Sequence, residues 1–228
     1  MRAGPEWFVV IEAIGIISFA VNAMIVAKEK DLSALGVFFC AVATALGGGT
    51  LRDLLLGPAA LPFFWVSFPF YLLTIFVISI GYAKLDLVRA IVGKRDIVLK
   101  EASEAIALAS LGALGASKAF NLLGPGDGTL VSILHILILC ASFGAISAAF
   151  GSVIRDTVIN QFPAVLRPGV GTLEALFLGC GLLAALRLSG ISSGWAMLPA
   201  FLVILSIRAA AVVAAERKKG RVLEENQA

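Results

Sequence analysis

Long apolar runs separated by short polar breaks cover the whole chain. Seven of them, at residues 7–27, 32–56, 61–83, 102–120, 130–159, 169–188 and 195–213, approach or exceed the roughly 20 residues a membrane-spanning helix needs. The runs are apolar on every face, whereas a barrel strand alternates apolar and polar positions. The pattern predicts an all-α integral membrane protein with seven transmembrane helices. Seven is odd, so the termini are expected on opposite sides of the membrane.

The second run contains "ALGGGTLRDLLL" at residues 45–56, and the fifth contains "AAFGSVIRDTVI" at 148–159. The two superimpose at an offset of 103, which aligns Gly48 with Gly151, Gly49 with Ser152, Arg52 with Arg155 and Asp53 with Asp156. A third Arg-Asp pair, Arg95 and Asp96, lies in a basic loop. The signal is therefore the pattern of small residues, two apolar residues and Arg-Asp late in an apolar run. Each copy belongs to the second span of a three-span unit that turns at prolines, Pro58 and Pro62 or Pro163 and Pro168, into its third span. Three spans per unit invert the second unit relative to the first, giving two inverted three-helix repeats, an arrangement typical of transporters, with the seventh helix an added packing helix. The expected divisions are 1–85 for the first repeat, 86–100 for a basic cytoplasmic loop, 101–190 for the second repeat, 191–215 for the seventh helix and 216–228 for a cytoplasmic tail.

Charge sets the orientation. One side collects Lys28, Lys30, Lys84, Arg89, Lys94, Arg95, Lys100, Arg167, Arg208, Arg217, Lys218, Lys219 and Arg221, 13 of the 18 Lys and Arg. The positive-inside rule makes that side cytoplasmic and puts the N terminus outside. The same bias accounts for the net charge of +3 without any nucleic-acid partner, although a basic loop and tail also attract anionic membrane lipid. With 60% hydrophobic and 14% charged residues and a mean hydropathy of +0.99, the chain lies outside the soluble globular range.

Three consecutive glycines, Gly47, Gly48 and Gly49, each cost about 1 kcal/mol against alanine in a helix interior, and they predict a kink or a short unwound segment. Carbonyls freed there and near Gly151 are candidate ligands for a monovalent cation, since irregular backbone is tolerated at membrane depth only where protein covers it or a watery cavity receives it. Glycines also allow close helix approach, and Gly144, Ala148 and Gly151 fit that spacing. Arg52, Asp53, Arg155 and Asp156 are candidates for bracing the kinks and shaping the field. Adjacent helical residues do not face each other, so each arginine is expected to find its partner on a neighbouring helix. Among acidic residues of the spans attention falls on Glu12 and Glu174, with Glu12 the better placed to attract cations. Lys118, late in the fourth span, is either an interfacial lysine or a charge that responds to voltage.

Cys40, Cys140 and Cys180 are odd in number and lack metal-ligand spacing, so they read as packing residues. His135 stands alone and reads as a packing or interhelical hydrogen-bonding residue. The "GPGDG" of residues 124–128 reads as an outer turn. No Ser-His-Asp set, zinc-ligand cluster or phosphate loop occurs, so an enzyme is not expected and no cofactor is implied beyond a permeant ion.

On "GGGTLRD" at 47–53, "GSVIRD" at 151–156 and the seven-span pattern, the chain resembles prokaryotic members of the trimeric intracellular cation channel family (TRIC), over residues 6–213. The resemblance implies a homotrimer in a prokaryotic plasma membrane, with a pore in each subunit conducting potassium and, less well, sodium. That pore lies between the first, second, fourth and fifth helices, with kinks at Gly47, Gly48, Gly49 and Thr50 and at Gly151 and Ser152. It also implies a link between Lys118 and gating. Phe150 and Ser152 replace glycines of the first copy. Such relatives are also labelled glycine transporters, so a secondary transporter for glycine or a similar small zwitterion is the alternative.

Overall fold

The computed structural model describes residues 6–84, 96–167 and 171–225. Among these residues are eight α-helices: α1 (Glu6–Lys28), α2 (Ala34–Leu56), α3 (Phe64–Ser67), α4 (Phe70–Lys84), α5 (Asp96–Leu123), α6 (Leu130–Val158), α7 (Thr172–Leu188) and α8 (Ser193–Glu225). Short 3-10 turns at Pro58–Ala60 and Ala164–Leu166 follow α2 and α6. No strand occurs among the described residues.

Local chemistry sets the helix ends. The Ser33 hydroxyl accepts from the Gly36 N–H at 3.2 Å and starts α2, and the Thr129 hydroxyl accepts from the Ser132 N–H at 3.3 Å and starts α6, each satisfying an otherwise orphaned amide. Gly57, at φ 81°, closes α2 by donating its N–H to the Leu54 carbonyl, a left-handed φ that glycine adopts without strain. The expected outer turn is present at 124–128, and Asp127 there accepts from the Thr129 N–H at 3.0 Å. That bond and the one from the Thr129 hydroxyl hold its carboxyl below the ordinary carboxylate range.

Among the described residues, five helical stretches are long and apolar enough to cross a membrane: Val9–Ala27, Ala34–Leu56, Val98–Leu123, Leu130–Val158 and Ser193–Ala214. The expected third span is not one helix. Pro58–Ser67 and Phe70–Tyr82 meet at a 42° bend, because Pro69 has no N–H to donate and disfavours helical backbone at Phe68, which sits at φ −129° and ψ 77°. The expected sixth span corresponds to α7, with 17 residues. The expected basic loop at 86–100 falls mostly outside the described residues, and residues 96–100 form the first turn of α5. At the other end, helix α8 continues to Glu225 where a tail was expected from 216.

Helix α5 is the most buried of the five and packs against α1, α6, α7 and α8. Its small residues make this possible: Ala107, Ala109, Ala113, Ala116 and Ala119 are fully buried, and a Cβ on Gly112 would stand 2.9 Å from a Leu176 methyl. Outward faces carry large apolar side chains such as Phe39, Val131 and Trp195, as a lipid-facing surface requires. The three cysteines are buried, free and packed in the core. His135 is exposed on α6, so it does not fill an interhelical site within the subunit.

The glycine triplet does not unwind α2. The helix is continuous from Ala34 to Leu56, and the Thr50 hydroxyl donates to the Leu46 carbonyl at 2.7 Å across the three glycines. Packing explains why. A Cβ on Gly48 would collide with the Ser147 carbonyl, and one on Gly151 would collide with the Thr44 carbonyl. These glycines let the two backbones touch, which outweighs their low helix propensity. Glycines that touch nothing should behave oppositely. In detergent, Gly48→Ala and Gly151→Ala are expected to lower the unfolding free energy by about 1–3 kcal/mol through overpacking, whereas Gly181→Ala, facing open space in α7, is expected to raise it by about 0.5–1 kcal/mol. Thermal and denaturant unfolding of the three variants checks both signs.

Candidate functional site

Residue 44 meets 151 and residue 48 meets 147, so α2 and α6 cross antiparallel, and the two contacts exchange under the offset of 103. Arg52 and Arg155 therefore project from opposite ends of the crossing. Arg52 is level with residue 143 of α6, twelve residues before Arg155, so the two are separated by about 18 Å at 1.5 Å per residue. Between them lie buried hydroxyls: Thr44, Ser147 and Ser152 are each no more than 1% exposed.

At the Arg52 end, the guanidinium folds back on its own neighbour. Nε and Nη2 both reach Asp53 Oδ1 at 2.7 Å, and Nη1 donates to the Ser147 hydroxyl at 3.1 Å. Lys118 of α5 lies 2.9 Å from the same Asp53 oxygen and donates to the Ala60 carbonyl at 3.2 Å. Asp53 is fully buried, and its Oδ2 has no hydrogen-bond partner. Nearby, Glu12 of α1 accepts from the Tyr71 hydroxyl at 2.8 Å, which ties α1 to the bent α3–α4 segment.

The Arg155 end repeats the first bond pair and then diverges. Nε and Nη2 reach Asp156 Oδ1 at 2.7 Å, while Asp156 Oδ2 accepts from the Ala164 N–H at 2.9 Å. Nη1 of Arg155 bonds Asn22 of α1. Glu104 of α5 lies 3.4 Å from Arg155 and accepts from the Ser152 hydroxyl at 3.3 Å. Its other oxygen stands 3.8 Å from Arg208 of α8, which also donates to Thr172 at 2.7 Å and lies 3.6 Å from Glu101.

Two expectations are corrected here. Each Arg-Asp pair closes on itself, because the long arginine side chain curls back although the two Cα positions diverge, and in a dry interior the nearest anion is the strongest partner; among the described residues the expected carboxylate on a neighbouring helix is present for Arg155 alone, as Glu104. Arg208, counted among the basic residues of the cytoplasmic side, is 3% exposed inside the α8 packing face. Other candidates disperse. Gly47 and Thr50 line an apolar groove of about 360 Å³ beside Trp65, Leu72 and Ile154, and Trp65 Nε1 donates to the Thr50 hydroxyl at 3.0 Å. A Cβ on Gly49 would meet Phe64 at 2.6 Å. Glu174 is exposed in the first turn of α7. Successive helical residues point about 100° apart, so the four consecutive candidates of α2 cannot all face one place, and only Gly48 faces α6 backbone.

A family model described as "Glycine transporter" matches residues 9–86. A UPF0126 membrane protein of Vibrio cholerae is 32% identical over 202 residues, covering 89% of this chain and 77% of that protein. The UPF0126 inner membrane protein YadS of Escherichia coli is 28% identical over 203 residues, covering 89% and 90%. Among solved structures, the TRIC trimeric intracellular cation channel orthologue from Rhodobacter sphaeroides superimposes with a TM-score of 0.77 at 26% identity, over 92% of this chain and all of that one. A TRIC cation channel solved for the basis of its conductance gives 0.76 at 28%, over 91% and 94%. The chain belongs to the UPF0126 membrane proteins and is a member of the TRIC family.

This TRIC member is a multi-pass membrane protein, and several of its buried polar residues escape a reading based on motif alone. Glu104 lies within the expected fourth span, yet it sits in neither copy of the repeated motif and next to no glycine break. Asn22 is the one asparagine of the first span and is fully buried. A polar residue inside an apolar run needs a partner, and that rule applied to every position would have flagged both. The clusters differ sharply from surface pairs in what they hold together. Asp53→Asn leaves Arg52 and Lys118 without their shared carboxylate and is expected to destabilise the protein by about 3–5 kcal/mol. Lys100→Gln, which breaks the exposed pair of Lys100 with Glu29 at 2.9 Å, is expected to change stability by at most about 1 kcal/mol. Denaturant unfolding of the two variants measures the contrast.

Proposed function

We propose that the protein is a passive channel for monovalent cations, potassium and sodium, with a pathway in each subunit beside the α2–α6 crossing. The observation that carries this reading is the likeness in fold to TRIC cation channels, which extends over nine-tenths of the chain. The geometry agrees with it. Hydroxyls of Thr44, Ser147 and Ser152 and the free Oδ2 of Asp53 are oxygen ligands of the kind a dehydrating cation accepts. Because α2 stays helical through Gly47–Gly49, these side-chain oxygens replace the backbone carbonyls as the cation ligands of this reading.

The reciprocal contacts of Gly48 with Ser147 and Gly151 with Thr44 support two inverted three-helix repeats, with the bent α3–α4 pair and α7 completing seven spans. A 17-residue helix reaches about 25 Å, within the range of short spanning helices. The basic-residue asymmetry supports an outside N terminus and a cytoplasmic C terminus in a prokaryotic plasma membrane, and the trimeric relative supports a homotrimer. In this arrangement the Arg52 cluster closes the outer end and the Arg155 cluster the inner end. Lys118, bridging Asp53 and the Ala60 carbonyl, is the gating charge, since moving one charge through 100 mV is worth about 2.3 kcal/mol.

Glycine transport, favoured by the family model over residues 9–86, predicts a different observable. Purified protein in planar bilayers under a potassium chloride gradient is expected to give discrete steps that reverse near the potassium equilibrium potential, and to keep carrying current when sodium replaces potassium. A silent bilayer, from protein whose vesicles show saturable counter-flow of labelled glycine, would replace the channel with a transporter.

A further inference from the structure

Helix α8 lies outside both three-helix units and is rich in alanine and valine, which suits a packing helix. One residue departs from that description. Arg208 is 3% exposed, and the intramembrane burial of a guanidinium is tolerated only against partners. Its Nη1 donates to Thr172 of α7 at 2.7 Å, and its Nη2 lies 3.8 Å from Glu104 Oε2 and 3.6 Å from Glu101 Oε2 of α5. Glu104 turns its other oxygen, Oε1, to Ser152 and Arg155 of α6, at 3.3 and 3.4 Å, and Arg155 continues to Asn22 of α1. A line of charge-assisted contacts thus runs from α8 through one carboxylate to the inner end of the α2–α6 crossing.

We propose that Arg208 is a positioning residue for that inner end: it shares Glu104 with Arg155, and so holds the Ser152–Arg155 segment closed. The charges support a positioning role beyond packing. Among the buried members Arg155, Arg208, Asp156 and Glu104 balance, all four side chains being at most 11% exposed, whereas the Glu101 carboxylate is 38% exposed and solvated. Without the Arg208 guanidinium the cluster carries an unbalanced carboxylate, which a low-dielectric interior tolerates poorly and which draws in water and cations. The inner end then opens. Removing Glu104 as well restores the balance, with Arg155 still held by Asp156. The functional part of this inference rests on the channel reading, so its test has two arms.

The first arm labels Ser152→Cys with a water-soluble maleimide, in protein whose Cys40, Cys140 and Cys180 are alanine, and needs no transport activity. Arg208→Gln is expected to raise the labelling rate several-fold, Arg208→Lys to leave it near the parent rate, and Arg208→Gln with Glu104→Gln to bring it back towards the parent. The second arm records potassium current on the Ser152 background, where Arg208→Gln is expected to raise open probability several-fold at unchanged unitary conductance, with the same rescue by lysine and by the double substitution. Equal labelling in Arg208→Gln and the parent, or a double variant no closer to the parent than the single, overturns the proposal. A silent parent with Arg208-dependent labelling overturns the channel reading alone and leaves the positioning role supported. Loss of a monodisperse folded peak in both Arg208→Gln and Arg208→Lys assigns the residue to folding and overturns it.

Discussion

Everything in this fold depends on two helices touching through their backbones. At the α2–α6 crossing, Gly48 lies against the Ser147 carbonyl and Gly151 against the Thr44 carbonyl. No side chain separates the two helices there, so their axial positions are fixed by contacts that cannot repack by rotating a side chain. That fixed register places Arg52 and Arg155 at opposite ends of the crossing, one meeting Lys118 and the other Glu104. In lipid there is little hydrophobic drive to bring helices together, and close packing of small residues takes its place.

The two ends share a skeleton and differ in what completes it. Each has an arginine bonded twice to one oxygen of the following aspartate at 2.7 Å. Beyond that, both oxygens of Asp156 are engaged, the second by Ala164 of the 3-10 turn, and Asn22, Glu104 and Arg208 join three helices besides α6, namely α1, α5 and α8, directly or at one remove. The Asp53 end keeps an unbonded carboxylate oxygen and relies on a lysine that is 29% exposed. A long ammonium side chain near the surface moves more easily than a packed guanidinium. Under the proposed channel function, this asymmetry suits the Lys118 end to movement in the field and the Arg155 end to latching.

Hydropathy made most of the fold legible, because spanning helices must be long and apolar whatever surrounds them. The exceptions have local causes. Pro69 bends the third span, and its effect is as visible in the sequence as that of Pro58 and Pro62 once the residue before it is considered. The glycine triplet is harder to read, since glycine serves both unwinding and close approach, and only the position of the Ser147 carbonyl decides between them. The repeat at offset 103 marked residues that lie at the crossing, Gly48 and Gly151, and at its two ends, Arg52 and Arg155, without indicating what each of them touches. The Arg52–Asp53 contact runs against the Cα directions, because the long arginine side chain curls back on its neighbour. Glu104, Asn22 and Arg208 carry no motif, and their roles follow from distances between helices that are far apart in the chain, such as the 133 residues from Asn22 to Arg155.

The claim that ties these observations together is that cations pass beside the α2–α6 crossing, against the hydroxyls of Thr44 and Ser147. Thr44→Val keeps the shape of the side chain and Ser147→Ala removes an oxygen without adding volume, so the double variant removes two of the three buried hydroxyls at the crossing, leaving Ser152 and the glycine contacts in place. Its unitary potassium conductance in planar bilayers is the decisive measurement. The account predicts a several-fold fall relative to the parent; a conductance equal to the parent's would place the pathway elsewhere.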